Sequence, residues 1–102
     1  MKLILTKPGC KKCEYAKQTY DLSDWLIFDI ENPTTFLDEY GILATIDAMA
    51  EVASAQAYLV AFKALPLLVE DGVLLGVTEE DIENNTVKPL KICNQYLKRK
   101  RG

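Results

Sequence analysis

Apolar residues come in short blocks along this chain, and their spacing switches between strand-like and helical. "KLILT" at 2–6 is a brief apolar run that stops at Lys7-Pro8-Gly9, residues that turn the backbone, so it predicts a strand. From Lys11 to Tyr20 the pattern becomes helical: Cys13, Ala16, Lys17 and Tyr20 share one face, and Asp21-Leu22-Ser23-Asp24 forms the exit. "WLIFDI" at 25–30 predicts a second, buried strand. Asn32-Pro33-Thr34-Thr35 carries helix-start chemistry, Pro33 being suited to a first turn, and a short helical turn is expected over Phe36–Tyr40, broken at Gly41.

A longer helix follows. Ile46, Met49, Ala50, Ala53, Ala57 and Val60 make an apolar stripe, expected to pack into the core, with Asp47, Glu51, Ser54 and Tyr58 on the opposite side. "PLLVE", Asp71-Gly72 and "VLLG" read as a β-hairpin, Asp-Gly being a favoured two-residue turn. Thr78 can cap a short helix through Asp81, Asn84-Asn85 interrupts it, and Val87 to about Lys98 is the last helix, with Pro89 in its first turn. The resulting order, β-α-β-α-β-β-α, predicts an α/β fold: a mixed four-stranded sheet flanked by helices, with an extended middle helical segment over 33–64. A right-handed crossover makes the first two strands parallel, and the hairpin adds antiparallel ones. No repeat, linker or low-complexity block divides residues 1–102, so one domain is expected.

Composition fits this picture. With 102 residues and 49% hydrophobic content, the chain can bury a core without disulfide staples. "MKLILTKP" is too short an apolar run for a signal peptide and no segment could span a bilayer, so a cytoplasmic, reducing setting without membrane partners is the expectation. In that setting three cysteines, an odd number, argue against a disulfide framework. A net charge of −3 and a pI of about 4.9 make nucleic acid a poor first choice of partner. The charge is uneven, however: Lys7, Lys11, Lys12 and Lys17 surround a cysteine pair with only Glu14 among them, and "KRKR" closes the chain at 98–101. Those basic residues lack apolar spacing, so residues 98–102 are expected to be a flexible, solvated tail.

The cysteine pair, "CKKC" at 10–13, is the candidate chemistry. Cys10 follows a predicted strand and turn and opens a predicted helix, where free backbone N–H groups and the positive dipole end favour an anion. Here the anion is a thiolate, and Lys7, Lys11 and Lys12 add positive charge around it. Cys13 lies one helical turn further in, close enough to attack a mixed disulfide formed at Cys10, which is the arrangement thiol–disulfide exchange needs. The other readings are two incidental thiols or half a zinc site. Zinc asks for four ligands, and the chain has no histidine. Cys93, on the last predicted helix beside Leu90 and Leu97, reads as a small core hydrophobe.

"LILTKPGCKKC", "ALPLLVEDGVLLG" and "TEEDI" together resemble a glutaredoxin of the thioredoxin superfamily, over nearly the whole chain. The resemblance implies a thioredoxin-like fold and a dithiol–disulfide oxidoreductase in which Cys10 attacks and Cys13 resolves. Protein or small-molecule disulfides would be substrates, no cofactor would be permanently bound, and glutathione (a possible co-substrate) or a thioredoxin-type reductase would supply electrons. Lys7 matches the family's lysine three residues before the first cysteine. Pro66 matches its cis-proline, which implies that Leu65–Pro66 is cis and that Leu65 offers backbone hydrogen bonds to a bound thiol. Leu75-Gly76-Val77-Thr78-Glu79 partly matches the end of the glutathione site, so Lys7, Lys12, Leu65, Pro66, Val77 and Thr78 are the implied substrate- or glutathione-binding residues. The family encloses Pro-Tyr between its cysteines, where this chain has Lys11-Lys12. It also lacks the family's Thr before Val, its first Gly and its Asp, which bears on glutathione specificity. These departures, the long middle segment and the basic tail support a rival reading, a non-catalytic binding or scaffold module on the same fold; a further alternative is a glutathione-ligated iron–sulfur carrier formed by two copies sharing Cys10.

Overall fold

The computed structural model describes residues 1–55, 65–75 and 96–100. Within them the elements run β1 (Lys2–Thr6), α1 (Lys11–Thr19), β2 (Tyr20–Asp21), β3 (Leu26–Asp29), α2 (Pro33–Tyr40), α3 (Ile42–Ser54), β4 (Leu67–Glu70), β5 (Val73–Leu75) and β6 (Lys98–Arg99). The fold is α/β, with a mixed four-stranded sheet of order β3-β1-β4-β5. β1 pairs parallel with β3, Leu5 opposite Phe28, and antiparallel with β4, Leu5 opposite Leu67. The hairpin β4–β5 closes through Asp71 and Gly72 at φ of 51° and 78°. Two successive positive φ values are what a two-residue turn matching strand twist requires, and Asp-Gly supplies them at low steric cost.

Strand alternation sorts the core onto the two faces of this sheet. Leu3, Leu5, Leu67 and Val69 turn to one face, where Phe28, Phe36, Ala48 and Val52 cover them; Ile4 and Leu68 turn to the other, against Ala16, Tyr20, Trp25 and Leu97. Helices α2 and α3 therefore cover one face and α1 the other. Phe36 sits between Phe28 and Tyr40, with ring centroids 5.3 and 4.6 Å away. β1 and β4, paired on both sides, carry continuous apolar runs, as strands buried on both faces do.

Four expectations are corrected. The stretch 25–30 is not a wholly buried strand: β3 is an edge strand, and of its residues only Phe28 is buried. α2 starts at its proline rather than at Phe36, because Pro33 is already compatible with a first helical turn. The third correction concerns α3, which begins at Ile42 and buries Thr45, Ala48 and Val52; Ile46 and Met49 are 57% and 44% exposed, and Ala50 and Ala53 also face solvent. Both faces of this helix are apolar enough to serve, so periodicity could not choose between them. The smaller face packs inward, and the Thr45 hydroxyl donates to the Gly41 carbonyl at 2.8 Å, which removes the cost of burying it.

The fourth correction is the basic end. Lys98 and Arg99 pair antiparallel with Asp21 and Tyr20, and the Lys100 N–H donates to the Thr19 carbonyl at 2.8 Å. The Lys100 ammonium donates to the Lys17 carbonyl, also at 2.8 Å, at the C-terminal turn of α1. Leu97, 6% exposed beside Tyr20 and Trp25, anchors the segment. Pairing through the backbone leaves the long charged side chains in water, which is why an all-basic strand is tolerated at an edge. The expected elements over 76–95, and the stripe residues Ala57 and Val60, lie outside the described residues; the last helix, expected to reach about Lys98, has ended by Leu97, where the chain turns into β6. Among the described residues no helix is long and apolar enough to cross a membrane.

Candidate dithiol site

β1 ends at Thr6, and Pro8-Gly9 turns the chain so that Cys10 becomes the N-cap of α1. Gly9 has φ +74°, a conformation glycine adopts at little cost, and it makes the abrupt strand-to-helix turn possible. Cys10 has extended backbone angles and its Sγ accepts the Cys13 backbone N–H at 3.2 Å. A cap position is ordinarily taken by a Ser, Thr, Asp or Asn oxygen. Here the Cys10 sulfur takes the role.

Cys13 is the inner partner. It is fully buried, packed with Leu3, Leu5 and Leu65 in the core cluster, while Cys10 is half-buried at the cluster's edge. Both are free thiols. Burial pushes the Cys13 thiol up to about 12, and the hydrogen bond with Cys10 pushes the same way; a backbone N–H of Lys7 acts in the opposite sense. The two sulfurs thus differ in environment, one at a solvent-reached helix cap and one in apolar surroundings that hold its proton.

Leu65 and Pro66 close the site from the hairpin side. The Leu65–Pro66 bond is cis, both residues are buried, and the Leu65 carbonyl lies 4.0 Å from Cys10 Sγ. Residues 55 positions apart in sequence are thereby brought to the same thiol. Lys7 is half-buried on the turn, and Lys11 and Lys12 occupy the first two positions of α1 with exposed side chains. Among the described residues none of these three lysines forms a salt bridge, whereas Lys17 is paired with Glu14 at 3.4 Å. Val77, Thr78 and Cys93 lie outside the described residues.

A neighbouring cleft of about 370 Å³ was not anticipated. It is lined by Thr6, Lys7 and Pro8 from the end of β1, Glu14 and Lys17 from α1, Asp29 from β3, and Thr35, Phe36 and Glu39 from α2. Neither cysteine lines it. Its position outside the carboxyl ends of two parallel strands is one where α/β sheets commonly open a crevice, so pairing the first two predicted strands in parallel could have located it. Among the described residues no group of three His, Cys, Asp or Glu side chains could hold a metal ion.

The chain matches no family model, no curated protein and no solved structure.

Proposed function

We propose that this chain is a thiol–disulfide oxidoreductase with a glutaredoxin-like, thioredoxin-type fold. The observation that carries the reading is the asymmetry of the pair: Cys10 Sγ caps α1 and accepts the Cys13 N–H at 3.2 Å, while the Cys13 thiol is buried behind it. The strand-turn-helix setting and the Leu65–Pro66 segment facing Cys10 support it further.

In the forward reaction the Cys10 thiolate attacks one sulfur of a substrate disulfide. The S–S bond breaks, one substrate thiolate leaves and takes a proton from solvent, and a mixed disulfide remains on Cys10. Cys13 then loses its proton to solvent and attacks the Cys10 sulfur; the second substrate thiolate leaves and is protonated. The substrate gains two electrons and two protons, and the dithiol becomes the Cys10–Cys13 disulfide. An external thiol, glutathione or the dithiol of a thioredoxin-type reductase, reduces that disulfide and completes the cycle. The Leu65 backbone, whose carbonyl lies 4.0 Å from Cys10 Sγ, is the segment against which an extended substrate aligns.

Reduction of a peptide disulfide by the purified protein, with dithiothreitol as reductant, tests this. Cys10→Ser should abolish turnover, and Cys13→Ser should retain attack and accumulate the mixed disulfide on Cys10. Turnover unchanged in Cys10→Ser would overturn the proposal.

A further inference from the structure

Two lysines occupy the first two positions of α1, where helix energetics disfavour cations. The N-terminal end of a helix carries partial positive charge, so a cation there is destabilising while Asp and Glu are favoured. Lys11 and Lys12 are exposed, and among the described residues no carboxylate pairs with either. A charge placed against the local rule points to a use outside the helix. The stretch 7–17 holds four lysines and one glutamate in a chain whose net charge is −3, and the glutamate is already paired with Lys17. Lys7, Lys11 and Lys12 therefore form a basic front around Cys10 on a molecule whose net charge is negative.

We infer that Lys11 and Lys12 are specificity-determining residues that select anionic disulfides, acidic polypeptide segments flanking a cystine, for attack by Cys10. This rests on the dithiol reading above and supplies its substrate class. Apart from this front and the basic segment at 98–101, charge on the chain is mostly acidic, so an acidic substrate is favoured beside the thiolate of Cys10 and a basic one is drawn elsewhere. Charge complementarity of this kind acts mainly on the association rate and weakens with salt. Any effect of the lysines on the reactivity of Cys10 itself is common to every substrate. It cancels in a ratio between substrates of opposite charge, which is therefore the quantity to measure.

Three cystine peptides of equal length, with Asp/Glu, Ser/Asn or Lys flanks, are reacted with Cys13→Ser protein. The rate of mixed-disulfide formation is followed by mass spectrometry, with the adduct mapped to Cys10; turnover of the same peptides is measured with the wild type. The acidic peptide should react roughly tenfold or more faster than the basic one at low salt. That ratio should shrink as salt is raised and approach unity when Lys11→Gln and Lys12→Gln are added, and Lys→Arg at both positions should restore it. Equal capture rates for the three peptides, or a ratio unchanged by the Gln pair, overturns the inference while leaving the dithiol reading intact. Preferential capture of the acidic peptide without turnover supports the charge selection and overturns the catalytic reading. Absence of any adduct on Cys10 overturns both.

Discussion

In the proposed dithiol reaction Cys13 must give up its proton before it can resolve a mixed disulfide on Cys10, and its burial opposes that. Burial, followed by the hydrogen bond with Cys10, lifts the thiol from an ordinary 9.0 to about 12. At about pH 8 this lowers the thiolate fraction roughly a thousandfold, since each whole step in pKa is a tenfold change in population. The more basic thiolate is the better nucleophile, and a Brønsted slope of about 0.4–0.5 returns roughly 16- to 30-fold. Resolution should then be roughly 30- to 60-fold slower than for a surface thiol held at the same distance. That is an upper figure, because the Cys10 contribution vanishes once its sulfur is in a mixed disulfide, while burial, the larger cause, persists. The mixed disulfide should therefore accumulate in a single turnover, and its decay should quicken close to tenfold per pH step between about pH 7 and pH 9. Acid quenching followed by mass spectrometry reads both quantities. A decay rate that is flat across that range, or product thiol released with no adduct on Cys10, would refute the reasoning.

Other consequences are open to direct measurement. Folding favours the neutral Cys13 thiol, so its contribution to stability is complete below about 9.0 and is lost as pH rises toward about 12. The urea midpoint of the reduced protein should accordingly fall more steeply above about pH 9 than that of Cys13→Ala, and parallel slopes would contradict this. Phe36→Ala removes a buried ring held between Phe28 and Tyr40 and should cost about 3–5 kcal/mol in urea unfolding; a loss below about 1 kcal/mol would mean the cavity collapses or the ring is not packed. Truncation after Leu97 removes the β2–β6 pairing and both Lys100 hydrogen bonds to α1, and should destabilise by about 1–3 kcal/mol, whereas an unchanged midpoint would restore the picture of a solvated tail.

Much of the architecture was legible because local and global signals agree. β1 reads as a strand, the Pro-Gly turn ends it, and Asp71-Gly72 supplies the two positive φ values its hairpin needs. The placement of Cys10 at a helix start followed from the same agreement. Where two solutions were nearly equal, sequence could not decide. α3 has Ile42, Ile46 and Met49 on one side and Thr45, Ala48 and Val52 on the other, and the choice depends on close packing against β4 and on the Thr45–Gly41 hydrogen bond. The β2–β6 pair was hidden for a different reason: it is made by backbone groups, with Lys98 and Arg99 exposed, so no hydrophobic period marks it. In the candidate site, the sequence pointed to the two cysteines and to the segment at Pro66, which the fold brings together. It did not reveal that Cys10 sulfur itself caps the helix, since cap geometry depends on a rotamer rather than on spacing.

The most direct test of the dithiol reading is the redox equilibrium of the intact chain. Protein equilibrated across a series of reduced and oxidised glutathione buffers is quenched, alkylated and mapped by mass spectrometry for a Cys10–Cys13 disulfide. The expected result is one reversible two-electron transition, its equilibrium ratio shifting tenfold for every ~30 mV, and abolished by serine at either position. Cys10 and Cys13 remaining separate alkylatable thiols in the most oxidising buffer would contradict the assignment of this pair as a redox centre.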